Sequence, residues 1–195
     1  MSKLVYYFGA MGCSKTANAL MTRFRYETNN KKVWLIKPGI DTRDDTDRTI
    51  IKSRIGLQAE AQAIGVEENI VELYKKNESN FYDVDVIICD ECQFLTADQV
   101  VQLKQLAETK DIIVYCYGLR TDFRTELFSG SAKLFCLADE IIQLEAVCDC
   151  GRPAIVNARF ADGKVVTTGN QIDIGGDEKY KPLCWSCWMN AQLKE

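Results

Sequence analysis

Short apolar strands alternating with helical stretches predict an α/β fold, a parallel sheet covered by helices, followed by a small cysteine-rich module. Three observations carry this reading. Residues 84–89 and 112–117 are apolar almost throughout, as in strands buried on both faces. Residues 98–108 separate them with Val100, Leu103 and Leu106 on one side, the spacing of an amphipathic helix. From about Ala146 the chain turns to cysteine, glycine and short alternating runs.

Lys3-Leu4-Val5-Tyr6-Tyr7-Phe8 reads as a first buried strand. A small-residue loop follows to Thr16, and Ala19, Leu20, Arg23 and Phe24 have helical spacing up to Asn29-Asn30. Val33-Trp34-Leu35-Ile36 is a second strand, stopped by Pro38-Gly39, and residues 41–48 read as a charged surface loop. After the strand at 112–117 comes a polar stretch to Ser129, a helix over 132–137 and a last strand over 140–144. Residues 1–145 are thus expected to form one α/β domain, and 146–195 a small metal-held domain with alternating runs at 154–160 and 164–168.

Composition excludes several functions. Net charge is −4 with a pI near 5.1, which argues against a broad grip on nucleic acid. No run approaches a membrane span and no leader is visible, so a cytoplasmic location without a membrane partner is expected. There are nine cysteines and no histidine. Histidine-based catalysis is excluded, and a metal site must use cysteine, carboxylate or backbone oxygen.

Gly9-Ala10-Met11-Gly12-Cys13-Ser14-Lys15-Thr16 lies between strand and helix, the place of a P-loop. There backbone N–H groups and a helix N-terminus surround phosphates, Lys15 reaches the β- and γ-phosphates, and Thr16 binds Mg²⁺. Ser14 stands where the pattern has glycine. Asp90-Glu91 follows an apolar strand, which suits an aspartate holding Mg²⁺ and a carboxylate for general-base work. Cys148-Asp149-Cys150 and Cys184-Trp185-Ser186-Cys187 are two close pairs suited to a tetrahedral zinc site. The first pair is tighter than the usual C-x₂-C. Cys13, Cys89, Cys92, Cys116 and Cys136 read as buried cysteines without chemistry.

In this order the motifs resemble the thymidine kinase family that carries a zinc-bound lasso on a RecA-like P-loop domain. The most specific segments are Asp90-Glu91-Cys92-Gln93-Phe94-Leu95, Tyr117-Gly118-Leu119-Arg120-Thr121-Asp122-Phe123-Arg124 and Ile174-Gly175-Gly176-Asp177-Glu178-Lys179-Tyr180, with support from Ser53-Arg54-Ile55-Gly56-Leu57 and Asp41-Thr42-Arg43. The resemblance implies transfer of the γ-phosphate of ATP to the 5′-hydroxyl of thymidine. Glu91 is implied as the base, with Asp90 and Gln93 near the metal. Met11, Phe94, Leu119 and Phe123 are implied as walls around the thymine. Residues 172–180 are implied as the lasso, including Ile172, Ile174, Gly175, Gly176 and Tyr180. Arg43 and Arg124 are implied to neutralise phosphate charge.

Phe94 and Phe123 equally suit a core, and Tyr180 equally suits packing of the zinc module. Ser14, Ala10 in place of a common proline, and Trp185 in place of a common arginine depart from the pattern. The resemblance also implies structural Zn²⁺, Mg²⁺ with ATP, inhibition by thymidine triphosphate and a homotetramer. Three alternatives stay open at this point: a recombinase-like ATPase, a zinc module that grips nucleic acid, and an inactive relative that binds nucleotide. The acidic balance disfavours the first two, and only Ser14 favours the third.

Overall fold

The computed structural model describes residues 2–39, 48–79, 84–171 and 179–193. Arg43, Ile172, Ile174, Gly175 and Gly176 lie outside them, as does nearly all of the loop expected at 41–48.

The main sheet has seven strands in the order β3-β4-β2-β5-β6-β1-β7. They are β1 (Lys3–Phe8), β2 (Val33–Pro38), β3 (Arg48–Lys52), β4 (Gln58–Ile64), β5 (Val86–Cys89), β6 (Ile113–Gly118) and β7 (Glu140–Gln143). All neighbours are parallel except β3 and β4, which form an antiparallel edge hairpin. One strand, β6, separates β1 from β5, the RecA-like order. At about 4.8 Å per strand, the ends of β1 and β5 stand about 10 Å apart.

The period-two alternation of each strand divides its residues between two cores. Leu4, Tyr6, Ile87, Cys89, Val114 and Cys116 face α2 (Ile70–Ser79), α3 (Ala97–Lys110) and α4 (Ser129–Leu137), packing with Ile70, Leu103 and Leu134. Leu35, Val86, Ile88 and Tyr117 face the opposite way, where α1 (Lys15–Glu27) supplies Ala19 and Leu20. Helices therefore cover both faces, and the uninterrupted apolar strands follow from that. Helix α3 begins in a capping box, in which Thr96 Oγ1 accepts from Gln99 N–H and Gln99 Oε1 accepts from Thr96 N–H, both at 3.1 Å.

The hairpin β3–β4 and helix α2 add to the elements expected from sequence. In β4, Gln-Ala-Glu-Ala-Gln-Ala-Ile alternates with alanine as its main apolar residue, a weak signal.

The C-terminal part holds the hairpin β8 (Ala146–Val147) and β9 (Pro153–Ala154), then a three-stranded sheet ordered β11-β10-β12, then α5 (Trp185–Gln192). Its strands are β10 (Val156–Ala161), β11 (Lys164–Val166) and β12 (Tyr180–Leu183). Its core contains Val156, Ala158, Leu183 and Trp188, and also Ala10 and Cys13 of the phosphate loop. The two parts of the chain thus share packing at that loop. Among the described residues no helix is long and apolar enough to cross a membrane.

Candidate active site

The phosphate loop leaves β1 at Gly9, whose N–H donates to the carbonyl of Gly118 at 3.3 Å. A Cβ on Gly9 would lie 2.4 Å from the Leu144 carbonyl oxygen, so only glycine fits there. Ser14 has φ 62° and ψ 28°, left-handed backbone that glycine adopts freely and serine at a cost. The loop thus keeps the conformation that the glycine of the pattern would take, and Ser14 makes no side-chain cap bond. Lys15 is buried, its Nζ donating to the carbonyls of Gly9 at 3.2 Å and Ala10 at 2.9 Å, with Cys13 Sγ at 3.5 Å. The first turn of α1 carries no acid, which leaves its N–H groups and partial positive charge suited to an anion.

At the end of β5, Asp90 is buried and its N–H donates to the Ile36 carbonyl at 3.0 Å. Burial pushes its carboxyl up to about 6, the Glu91 carboxylate pushes the same way, and a hydrogen bond with the Thr16 side chain opposes both. Thr16 and Asp90, the two expected magnesium ligands, are therefore near enough to influence each other. An oxygen pair of this kind fits a hard cation, whose charge would favour ionised Asp90.

Glu91 also has left-handed backbone, φ 53° and ψ 36°, at the entry to a 3₁₀ turn (Cys92–Phe94). This conformation is unfavourable for a side-chain-bearing residue and is held by its surroundings. Gln93, buried in that turn, donates from Nε2 to Glu91 Oε2 at 2.6 Å and accepts at Oε1 from the Leu119 N–H at 3.0 Å. One amide therefore ties the candidate base to the segment after β6. A Cβ on Gly118 would meet Cys92 Sγ at 2.6 Å and Gln93 Oε1 at 2.7 Å, so this approach requires glycine. The Leu119 carbonyl is fixed in turn by Tyr6 Oη at 2.8 Å and Ser131 Oγ at 2.6 Å.

These pieces surround one cavity of about 290 Å³. The loop lines it with Met11, Gly12, Ser14, Lys15 and Thr16, the β3–β4 hairpin with Lys52, Ser53, Arg54 and Ile55, and the far wall is Glu91 and Leu119. Lys52 and Arg54 bring two cations to this wall that motif and spacing alone do not single out. Their signal was the Ser53-Arg54 segment, which acquires meaning only once the hairpin sets it opposite the loop.

Four expected residues, Phe94, Phe123, Arg124 and Tyr180, do not line this cavity. Phe94 is half-buried and packs edge-on against Phe128, with ring centroids 5.5 Å apart. Phe123 is buried, with the Arg124 and Arg159 guanidinium carbons 5.8 and 5.2 Å from its ring centre. Arg124 donates Nε and Nη2 to Asp122 Oδ2 at 3.0 and 2.9 Å, so its charge is matched locally. Tyr180 opens β12 opposite Arg159 of β10.

A sequence profile described as thymidine kinase matches residues 2–188. The chain belongs to the thymidine kinase family. It is 42% identical to a thymidine kinase of Enterobacteria phage T4, covering 100% of this chain and 99% of that one. It is 38% identical to one from Photorhabdus laumondii, covering 98% and 94%, and 40% identical to one from Legionella pneumophila, covering 94% and 88%.

In this family member, Cys148, Cys150, Cys184 and Cys187 converge, with all four Sγ atoms within 4.8 Å of one another. Cys150 and Cys184 Sγ lie 3.6 Å apart, and both are free thiols. Tetrahedral Zn–S bonds of about 2.3 Å put sulfurs about 3.8 Å apart, so the cluster fits zinc. The tight first pair is accommodated by a turn in which Gly151 N–H donates to the Cys148 carbonyl at 2.8 Å. Arg152 Nε donates to Cys150 Sγ at 3.4 Å, and Lys181 pairs with Asp149, cations beside sulfurs that become anionic on binding metal. Of the remaining cysteines, Cys13, Cys89, Cys92 and Cys116 are buried as expected. Cys136 is exposed, because it falls on the solvent side of α4.

Proposed function

We propose that this chain is an ATP-dependent thymidine kinase that yields thymidine monophosphate. The observation that carries the reading is that Glu91 and the phosphate loop line the same cavity. Family membership supplies the nucleoside, because the relatives are thymidine kinases. Glu91 takes the proton from the 5′-hydroxyl as that oxygen attacks the γ-phosphorus, and ADP leaves. Lys15 exchanges its carbonyl partners for the phosphates, and Arg54 and Lys52 offset their charge from the hairpin. Arg43 and Arg124 remain candidates for the same work. Thr16 and Asp90 would hold Mg²⁺, which neutralises charge between the β- and γ-phosphates.

Met11, Leu119, Phe94 and Phe123 form the nucleoside side. Residues 172–180, all but the last two outside the described residues, are the expected lasso, and a cover over the nucleoside would exclude water and limit hydrolysis of ATP. In this scheme residues 1–145 bind nucleotide and 146–195 carry the zinc and the lasso. A cytoplasmic homotetramer restrained by thymidine triphosphate completes the expectation drawn from the family. The deciding experiment is transfer from labelled ATP, with Mg²⁺, to thymidine and the other common nucleosides in parallel. Selective formation of thymidine monophosphate is expected, and absence of transfer to any nucleoside would refute the proposal.

A further inference from the structure

Asn157 lies on β10, in the C-terminal part, yet its side chain is spent on two segments of the nucleotide-binding part. Its Oδ1 accepts from the Met11 N–H at 2.8 Å, and its Nδ2 donates to the Thr121 carbonyl at 3.0 Å. The residue is 3% exposed. Met11 is inside the phosphate loop, and Thr121 belongs to the segment that carries Leu119. One buried amide therefore fixes the two backbone stretches that flank the cavity.

We propose that Asn157 is a positioning residue that braces the phosphate loop against the zinc-held part, so that ATP affinity depends on it. The inference rests on the kinase reading for its choice of ATP as ligand. Two further observations support it. Ala10 and Cys13 are buried in the core of the C-terminal part, so the loop is held there by side chains as well as by the Asn157 bond. The strand bearing Asn157 is also held from both ends of the thiol cluster. Its partner across the sheet is Pro182, just before Cys184, and Cys148 and Cys150 lie in the β8–β9 hairpin that leads into β10. The face of the loop toward the cavity is formed by Met11, Gly12, Ser14, Lys15 and Thr16. An apolar residue of similar volume would fill the space but leave a buried N–H and a buried carbonyl unpaired. The loop would then lose its single position, and part of the binding energy would go into restoring it.

The test uses the full, zinc-loaded chain and the variants Asn157→Leu and Asn157→Asp. ATP affinity is measured by calorimetry without nucleoside, and hydrogen exchange is resolved at the Met11 amide. For Asn157→Leu, ATP Kd should rise about tenfold, the effect of one lost buried hydrogen bond, and Met11 should exchange at least about tenfold faster. Zinc content should be unchanged, and the KM for ATP should move far more than kcat. Asn157→Asp, which keeps the acceptor, should retain slow exchange at Met11. A folded, zinc-loaded Asn157→Leu protein with ATP Kd within about twofold of wild type would overturn the proposal. If that variant fails to fold, the wild-type Met11 amide decides, because exchange as fast as an open loop refutes the bond. Wild-type protein that binds ATP but phosphorylates no nucleoside defeats only the kinase reading. Protein that binds no ATP defeats both.

Discussion

Replacing Gln93 by leucine should damage catalysis and stability together. The amide is 1% exposed and joins Glu91 Oε2 at 2.6 Å to the Leu119 N–H at 3.0 Å. Leucine has similar volume, so the cavity term is small and the loss is polar. The Leu119 N–H would be left buried without a partner, and Glu91 would lose a charge-assisted bond. Each costs about 1–3 kcal/mol, but Glu91 is partly exposed and regains water, so a net loss of about 2 kcal/mol is expected. Urea unfolding at pH 7 reads it as a lower midpoint with unchanged slope. Freed from its amide partner, Glu91 should spend less time aimed at the nucleoside hydroxyl, and kcat should fall about tenfold with little change in ATP affinity. Gln93→Glu sharpens the case, because two carboxylates at that spacing share a proton. The acid limb of kcat/KM should then move to higher pH. Wild-type kcat in Gln93→Leu would refute the orienting role, and wild-type stability would refute the bridge itself.

Glu91→Gln should fold normally and lose about 10²-fold or more in turnover, and near-normal turnover would remove Glu91 as the base. Ser14→Gly should stabilise the chain by about 0.5–1 kcal/mol in thermal unfolding, since it relieves left-handed backbone at the cost of unfolded-state entropy, and should change ATP affinity less than about tenfold. A larger gain in affinity would mark Ser14 as a handicap. Cys150→Ser should purify with much less than one zinc per chain and a C-terminal part easily cut by protease, whereas full zinc content would exclude the four-thiol site. For Asp139, hydrogen bonds from Lys104 Nζ and the Leu4 N–H hold the carboxyl below the usual carboxylate range. Its stabilisation is present above the unfolded value near 3.9 and is lost as pH falls through the lower folded value. The pair is substantially exposed, so Asp139→Asn should cost only about 0.5–1 kcal/mol at pH 7, and the gap should close in acid. A gap constant down to pH 2.5 would contradict the linkage.

The sequence was legible where one kind of force dominates. Strands β1, β2, β5 and β6 are buried on both faces, so their apolar runs announce them. The thiol cluster and the phosphate loop are short, chemically distinct strings. Strand β4 was obscured because alanine carries its alternation, and Lys52 and Arg54 of the adjoining turn acquire a site only through the fold. Asn157 gave no signal, since a buried asparagine in an alternating strand looks like any outward-facing polar residue until its partners arrive from two distant segments. The bonds of Gln93 to Glu91 and Leu119 become visible only when the turn after β5 meets the segment after β6. The two guanidinium groups beside the Phe123 ring, those of Arg124 and Arg159, come from different segments, and only the fold brings them together.

The packing of Ala10 and Cys13 against Val156, Ala158 and Trp188 bears on synthesis at the ribosome. The phosphate loop is made well before the residues that cover it, which lie far along the chain. While the sheet is assembling, the outer side of that loop presents bare apolar surface of the sort that holdase chaperones bind. The packing of the loop is complete only after the chain beyond Ala146 has emerged and folded back onto it. The order of translation therefore sets when the outer side of the loop is covered.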